Sequence, residues 1–381
     1  MTAPLTGVRV MEVANLVAAP YAGLLLADLG ADVIKVEPPG GDLARGFGPY
    51  IGGQSVFFMA MNRGKRSILL DAKHPRDRVA LAKLAGRVDV ILHNLRAGAM
   101  ERMGLGEVEV RRDNPSVVYA VISAFGSDGP YADRAGIDVV FQGESGMISI
   151  TGRPGDPPQK TATTIGDYVA ATHIATAIAA ALKEGVGRRV EVAVRDALIS
   201  VQSGWNALHF ADGAQPPRTG TASPYLAPNQ VLAAADGHLT LAVTSDRHFA
   251  ILCEVIDRPD LAKAFPGNEE RMAGQTELAA ELEAVFRTGP SADWVELLVG
   301  AGLPAGRVLT LPEVFADPQV QHNEMVVEID DLVAEPVRTT GTPLRVDSAP
   351  ARAVLPPPKL GEHTAEVLAE IGMDEAGEAG A

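Results

Sequence analysis

VRVMEVANLVAAPYAGLLLADLGADVIKVE, residues 8–37, is the stretch on which the fold turns. Val8 to Val13 is strand-like and stops at the polar Asn15. Pro20 then opens a helical segment, Tyr21–Leu29, where its missing N–H costs nothing because first-turn amides have no intrahelical partner. Gly30 stops that helix, and Asp32-Val33-Ile34-Lys35-Val36 forms a second strand closed by Pro38-Pro39-Gly40-Gly41. Strand, helix and strand in this order predict a pair of parallel strands with a helical crossover.

The same alternation continues outward. Ser67–Leu70, Val88–Leu92, Val117–Ile122 and Arg189–Val194 read as strands, with helical segments around Asp77–Ala85 and Ala97–Met103. An Ala-rich helix from about Asp167 to Lys183 carries apolar residues on nearly every face, which predicts a buried helix. Ala197–Phe210 reads as one more helix. The pattern is α/β, a parallel sheet covered by helices. Gly, Pro, Ser and Thr cluster near 211–230, as in a domain linker. The strand His238–Val243 and helices near Arg247–Ile256, Gly274–Phe286 and Asp293–Ala301 then predict a small α+β domain. Helix and turn at Leu311–Ala316 and Pro318–Asn323 lead to a strand at Glu324–Ile329. A Pro-rich stretch from Pro350 to Pro358 and a helix at Thr364–Ile371 close the chain. The length of 381 residues, at roughly 150 per domain, also predicts two domains.

Composition excludes several classes of function. Acids number 48 against 33 bases, a net charge of −15, which disfavours nucleic acid and anionic membranes as partners. A single cysteine, Cys253, excludes a disulfide framework and a cysteine-based zinc site. The histidines never fall at metal-ligand spacing, so no metal is expected. No apolar run approaches the ~18 residues that would cross a bilayer. Met1 to Glu12 lacks a signal-peptide pattern, so the expectation is a soluble, cytoplasmic protein. Glu37 stands where a dinucleotide fold places its ribose-binding acid. Yet Asn15-Leu16-Val17-Ala18-Ala19-Pro20 replaces the glycine fingerprint, and bulky side chains there keep amides from a pyrophosphate. Gly143-Glu144-Ser145-Gly146 misses the spacing of a serine-hydrolase elbow.

Three stretches carry more chemistry. Asn62-Arg63-Gly64-Lys65-Arg66-Ser67 and Arg96 to Arg102 place bases beside strand ends of an acidic chain. Such crevices suit a polyanionic small molecule, although ordinary solvated loops would read the same way. The third, Thr151 to Pro158, leads to Ile165-Gly166-Asp167 at the mouth of the long helix. Asp167 there fits an N-cap. It equally fits an ionised carboxylate, favoured by the helix dipole and amides, that attacks an activated acyl group. Gly166 would let a substrate approach closely.

The chain resembles the class III coenzyme A transferases, which include formyl-CoA:oxalate and carnitine CoA-transferases and the related α-methylacyl-CoA racemases. The resemblance runs from Pro4-Leu5-Thr6-Gly7-Val8-Arg9-Val10 through Leu29–Glu37 and Asn62–Ser67. It continues at Gly129-Pro130-Tyr131, Thr151 to Asp167 and Leu360-Gly361-Glu362-His363-Thr364. It implies that Asp167 is the nucleophile, forming a mixed anhydride and then an aspartyl-CoA thioester, with backbone amides holding the oxyanions. Positions matching the family's CoA contacts are Val17, Ala18, Leu70, Asp71, Ala72, Lys73, Asn94, Leu95, Arg96 and Arg102. Lys73, Arg96 and Arg102 are expected on the phosphates, and the cluster with Arg63, Lys65 and Arg66 is the basic exception made for one polyanion. Pro38 stands where the oxalate enzyme carries an arginine, so the resemblance does not carry over that residue's phosphate or adenine contact.

The resemblance also implies a Rossmann-like parallel sheet in a discontinuous large domain, residues 1–210 plus 330–381. A linker at 211–224 leads to the small α+β domain at 225–325. Two chains are expected to interlock as an obligate homodimer, with acyl-CoA and a small carboxylic acid as substrates and no tightly bound cofactor. The racemases need a histidine in a Gly-His-Asp segment, and the match here is Gly136-Ile137-Asp138. Isoleucine cannot carry a proton, so transferase is favoured over isomerase. A non-catalytic CoA-binding protein would keep the basic loops without needing Asp167. The segment Ala222-Ser223-Pro224-Tyr225-Leu226-Ala227-Pro228-Asn229 lacks the glycine-rich loop of the formyl-CoA enzyme, which disfavours oxalate and formate as the substrate pair.

Overall fold

A computed structural model describes residues 3–329, 337–352 and 355–373. Parts of the expected C-terminal segment (330–336, 353–354 and 374–381) lie outside the described residues. The opening stretch folds as strand β1 (Arg9–Val13), helix α1 (Ala18–Asp28) and strand β2 (Asp32–Glu37). The helix begins two residues before Pro20, which still lies in its first turn. Strands β3 (Lys65–Leu69), β4 (Val90–His93), β5 (Val118–Ser123) and β6 (Arg189–Ala193) complete a parallel sheet of order β3-β2-β1-β4-β5-β6. Val10 pairs with Val33 on one side and Val90 on the other, so the chain reverses its direction of winding at β1. Crevices at the carboxyl ends of strands on either side of such a reversal are where sheets of this kind hold ligands.

Both faces of the sheet are covered. Val10, Val33, Val90, Val118 and Ala120 pack against α1 and against α4 (Ile165–Glu184). Met11, Ile34, Ile91, Tyr119 and Val121 pack on the other side against α2 (Pro75–Ala85) and a helix at Thr364–Glu370. Burial on both faces explains why the strands read as continuous apolar runs without alternation.

Helix α4 departs from the expectation of burial all round. Ala170, Ala171, Ile174, Ile178 and Ala181 are buried, whereas Thr172, His173 and Thr176 are exposed. Those three side chains bond carbonyls of their own helix, so their polar atoms need no tertiary partner. The expectation that no segment is apolar enough to span a bilayer is also corrected. With a mean hydropathy of 1.4, α4 passes by length and composition. Its many alanines raise that average without supplying bulk. The helix expected at Ala197–Phe210 is two helices, α5 (Val194–Val201) and Ser203–Asp212. At the break, the Gln202 amide donates to the carbonyls of Leu198 and Ser145.

The chain divides into two units. The described residues within 1–147, 160–211 and 317–381 form the first, and 148–159 with 212–316 the second. The second unit has an antiparallel sheet of Asn229–Ala233, His238–Ala242 and Ala305–Arg307. Helices Asp246–Val255, Gln275–Phe286 and Ser291–Gly300 carry its core residues Phe249, Leu252, Leu282, Phe286 and Leu298. Residues 213–228 form neither helix nor strand.

Candidate active site

The turns after β1 and β4 are tied together at the sheet's reversal point. The Asn15 amide donates to Asn94 Oδ1 at 3.1 Å, and Asn94 Nδ2 donates to the Asn15 carbonyl at 2.9 Å. Leu16 has φ of +65°, a left-handed conformation costly for a side chain of this kind. Asp42 holds it there by accepting the Leu16 amide at 3.0 Å. Asp42 is in turn fixed by the buried Lys35 ammonium at 2.8 Å. Turning the chain at Leu16 starts α1 immediately, so Val17 and Ala18 stand at a helix N-terminus with amides not yet used by the helix.

A cavity of about 780 Å³ opens beside these turns. Of the eleven residues assigned to the site from sequence, seven border it: Val17, Ala18, Asn94, Leu95, Arg96, Arg102 and Asp167. Leu70, Asp71, Ala72 and Lys73 do not. Leu70 is buried in the core and Asp71 accepts the Lys73 amide in a turn. Arg96 and Arg102 are exposed and have no ion-pair partner among the described residues. Arg134 and Arg189, which sequence reading passed over, also line the cavity, but they are paired with Glu144 and with Glu107 and Glu191.

The loop Asn62–Ser67 does not behave as a phosphate site. Arg63 is buried and doubly hydrogen-bonded to Asp28. Lys65 is buried against Glu12 at 2.8 Å, and donates to the Pro20 carbonyl and Asn62. Arg66 is taken by Asp32, Glu366 and Glu370. The bases stabilise the fold because acids from neighbouring strands and the C-terminal helix already neutralise them. Glu37 is likewise occupied, by Arg45, Ser67 and the Asp42 amide. In this buried cluster the carboxylates of Glu12, Asp42 and Glu37 hold Lys35 protonated against its burial. Burial pulls Lys65 down to about 8, opposed by Glu12 and reinforced by Lys35.

Asp167 is not an N-cap. Thr164 is the cap residue, and Asp167 lies three positions further into α4. Its entry is fixed from α3 (Asp138–Glu144). Asp138 Oδ1 accepts the Gly166 amide at 2.9 Å, and its other oxygen accepts from Gln142 Nε2. Gln142 Oε1 accepts the Thr161 amide at 2.9 Å, so one buried pair clamps the segment leading into the helix. A Cβ on Gly166 would lie 3.0 Å from Asp138 Oδ1 and from Val194 Cγ1, so any larger residue would push these side chains back by a few tenths of an ångström.

The expectation that helix amides keep Asp167 ionised is therefore overturned. The Gly166 amide is committed to Asp138, and no hydrogen bond reaches the Asp167 carboxylate among the described residues. Burial, with the Asp138 charge adding to it, pushes the Asp167 carboxyl up to about 7. A carboxyl so placed on a cavity wall is a base near neutral pH and a capable nucleophile. Asp138 and Gln142 were missed in the sequence although Gly136-Ile137-Asp138 drew attention. Their signal was an acid at a helix start with a glutamine four residues on.

Ile137 is 58% exposed and borders the cavity, so this position on the wall carries an apolar side chain and no acid–base group. His93 also borders it. Burial, helped by the charge of Arg189, lowers its imidazole to about 4, and Nδ1 has no hydrogen-bond partner among the described residues.

Residues 5–364 match the model of a family described as CoA-transferase family III. A succinate–glutarate CoA-transferase of Agrobacterium fabrum is 36% identical, over 97% of this chain and 96% of the relative. An acetyl-CoA:oxalate CoA-transferase of Acetobacter aceti is 33% identical, over 98% and 97%. Among solved structures, a CAIB/BAIF family protein from Brucella suis superposes with a TM-score of 0.87. It is 34% identical, over 97% of this chain and all of that one.

Proposed function

The chain belongs to CoA-transferase family III, and from that premise we propose that it moves coenzyme A from an acyl-CoA donor to a small carboxylic acid through Asp167. The observation that carries the proposal is the shared cavity. Asp167 stands on its wall together with Arg96 and Arg102, which have no ion-pair partner among the described residues, and the amide-bearing turn at Val17 and Ala18. A polyanionic thioester would meet the arginines with its phosphates and the helix start with its oxygens.

The chemistry balances without a cofactor. An Asp167 oxygen bonds to the thioester carbonyl carbon, the C–S bond breaks, and CoA leaves as thiolate with the electron pair. The thiolate attacks the Asp167 carbonyl of the resulting anhydride, giving an aspartyl-CoA thioester and releasing the donor acid as carboxylate. The acceptor carboxylate then attacks that thioester, and the thiolate returns to the acceptor's carbonyl, leaving the Asp167 carboxylate free. Two exchanges of similar difficulty replace one direct exchange between carboxylates.

Relatives named for succinate and glutarate, and for succinyl-CoA and mesaconate, support a short dicarboxylic acid as acceptor and succinyl-CoA as donor. An isomerase reading is disfavoured by Ile137. An interlocked homodimer remains part of the proposal. The exposed outer face of α4, with Thr172, His173 and Thr176, is surface that a second chain could cover.

The test is mass spectrometry of thioesters formed from succinyl-CoA and glutarate, mesaconate, oxalate or acetate. A dicarboxyl-CoA product in the wild type, absent in Asp167→Ala, is expected. Products with Asp167→Ala would overturn the nucleophile, and no product from any dicarboxylate would overturn the acceptor class.

A further inference from the structure

Asp138 is 3% exposed, Gln142 is fully buried, and both stand on α3 behind the turn that carries Asp167. Burying an anion is costly unless it serves as a hydrogen-bond acceptor or has an ionic partner. Asp138 has no ionic partner among the described residues. Its acceptor sites are filled by the Gly166 amide and by Gln142, and Gln142 is itself anchored to Thr161. An amide and a glutamine satisfy its oxygens without cancelling its charge.

The charges on the elements packed against α4 are cancelled, leaving Arg96 and Arg102 as the unpaired cations on the cavity wall among the described residues. Helix α4 packs on α1, α3, α5, β5 and β6. From α1, Asp28 pairs with Arg63, and Tyr21 stacks edge-on against Tyr168 as a neutral phenol. From α3, Glu144 pairs with Arg134; from α5, Arg195 pairs with Asp196. From β6, Arg189 and Glu191 pair with each other, and Tyr119 on β5 is neutral with its hydroxyl on the Leu105 carbonyl. Asp138 is left as the charged neighbour of the Asp167 carboxyl.

Resting on the reading of Asp167 as nucleophile, we infer that Asp138, held by Gln142, is a positioning residue for transfer. It fixes the first turn of α4 through the Gly166 amide and sets its buried charge beside the attacking carboxylate. The benefit lies in the leaving group. Attack on a thioester expels a thiolate whose ordinary pKa is about 8.5, whereas an ordinary aspartate titrates near 3.9. An anhydride formed by so weak a base falls back to carboxylate and thioester. Raising the basicity of Asp167 brings nucleophile and leaving group closer, so the forward exchange is less uphill. Nothing is oxidised or reduced, and the proton released when Asp167 ionises goes to solvent before attack.

The experiment follows formation of the enzyme–CoA thioester from succinyl-CoA between pH 5 and 9. It uses the full-length wild type, Asp138→Asn and Asp138→Glu, with Asp167→Ala as reference. In the wild type the rate is expected to rise with a midpoint near 7, tracking the ionised Asp167. Asp138→Asn should lower that midpoint by about one pH unit or more and slow the plateau roughly tenfold, and Asp138→Glu should restore the midpoint. An unchanged midpoint in Asp138→Asn overturns the inference, because a merely structural loss would lower the plateau alone. So does a wild-type midpoint below about 5, the ordinary carboxylate range, which decides the matter even where the asparagine variant does not fold. Thioester formation by Asp167→Ala would instead overturn the nucleophile reading on which the inference rests.

Discussion

The Gly166 amide donates to Asp138 Oδ1 at 2.9 Å, one residue before the carboxylate on the cavity wall. That bond commits to Asp138 a helix-end amide that is then not available to the Asp167 carboxylate. The proposed nucleophile is therefore basic at some expense to the fold. A carboxyl raised from 3.8 to about 7 binds a proton more tightly in the folded state than in the unfolded one. Its contribution to stability falls as pH rises from about 4 to 7. Asp167→Asn should abolish transfer and yet stabilise the protein at pH 8 by about 1–2 kcal/mol after allowance for solvent screening. The gain should vanish near pH 4. Thermal melts of both proteins across that range check it.

The arginines divide by burial. Arg96 and Arg102 are exposed at the cavity, so replacing either with alanine should raise KM for acyl-CoA about tenfold, roughly 1.4 kcal/mol, and flatten its salt dependence. Arg63→Ala should act on the fold instead. It leaves Asp28 buried without its main partner, at a cost of about 3–5 kcal/mol. Steady-state kinetics at two ionic strengths and urea unfolding separate the two outcomes.

Glu12 joins Lys35 and Lys65 across β1, β2 and β3, with all three side chains fully buried. Gly23 on α1 allows the close approach of Glu12, since a Cβ there would overlap its carboxylate. Glu12→Gln would leave two buried ammonium groups with Asp42 as their remaining ion-pair partner among the described residues, supported by the charge of Glu37, and should cost about 3–5 kcal/mol. A lower urea midpoint with an unchanged m-value is the expected reading.

His93 gives the opposite sign of pH dependence from Asp167. Its imidazole is lowered from 6.5 to about 4, so the unfolded chain takes up the proton first. Stability fully present above about 6.5 is lost as pH falls toward 4. His93→Phe should flatten that part of the melting-temperature profile, and an unaltered profile would show that other groups set the acid limb.

No α-proton exchange is expected when 2-methylacyl-CoA is held with the protein in deuterated water. Ile137 supplies no second base beside Asp167. Mass spectrometry of recovered thioester reads the outcome, and deuterium uptake faster than in buffer alone would restore the isomerase reading.

The sheet was legible because strand and helix periodicity are local. Val8–Val36 alternates apolar runs with a helix that carries proline in its first turn, and that pattern specifies a parallel pair whatever the rest of the chain does. Asp167 was legible through its place beside Gly166 at the start of a long apolar helix. The roles of the bases were not. Arg63, Lys65 and Arg66 look the same in sequence as Arg96 and Arg102, and whether a guanidinium meets a ligand or an internal acid depends on what packs against it. Glu366 and Glu370, some three hundred residues from Arg66, reach it through the C-terminal helix.

The sequence by itself determined the order of elements, the acidic background and the candidate nucleophile, since each follows from residue type and short-range spacing. Tertiary structure alone decided which charges remain available and how strong a base Asp167 is. Both depend on desolvation and on partners distant in sequence: Asp28 for Arg63, Asp138 for the Gly166 amide. Electrostatic energy is set by distance and burial in space, and neither can be read along the chain.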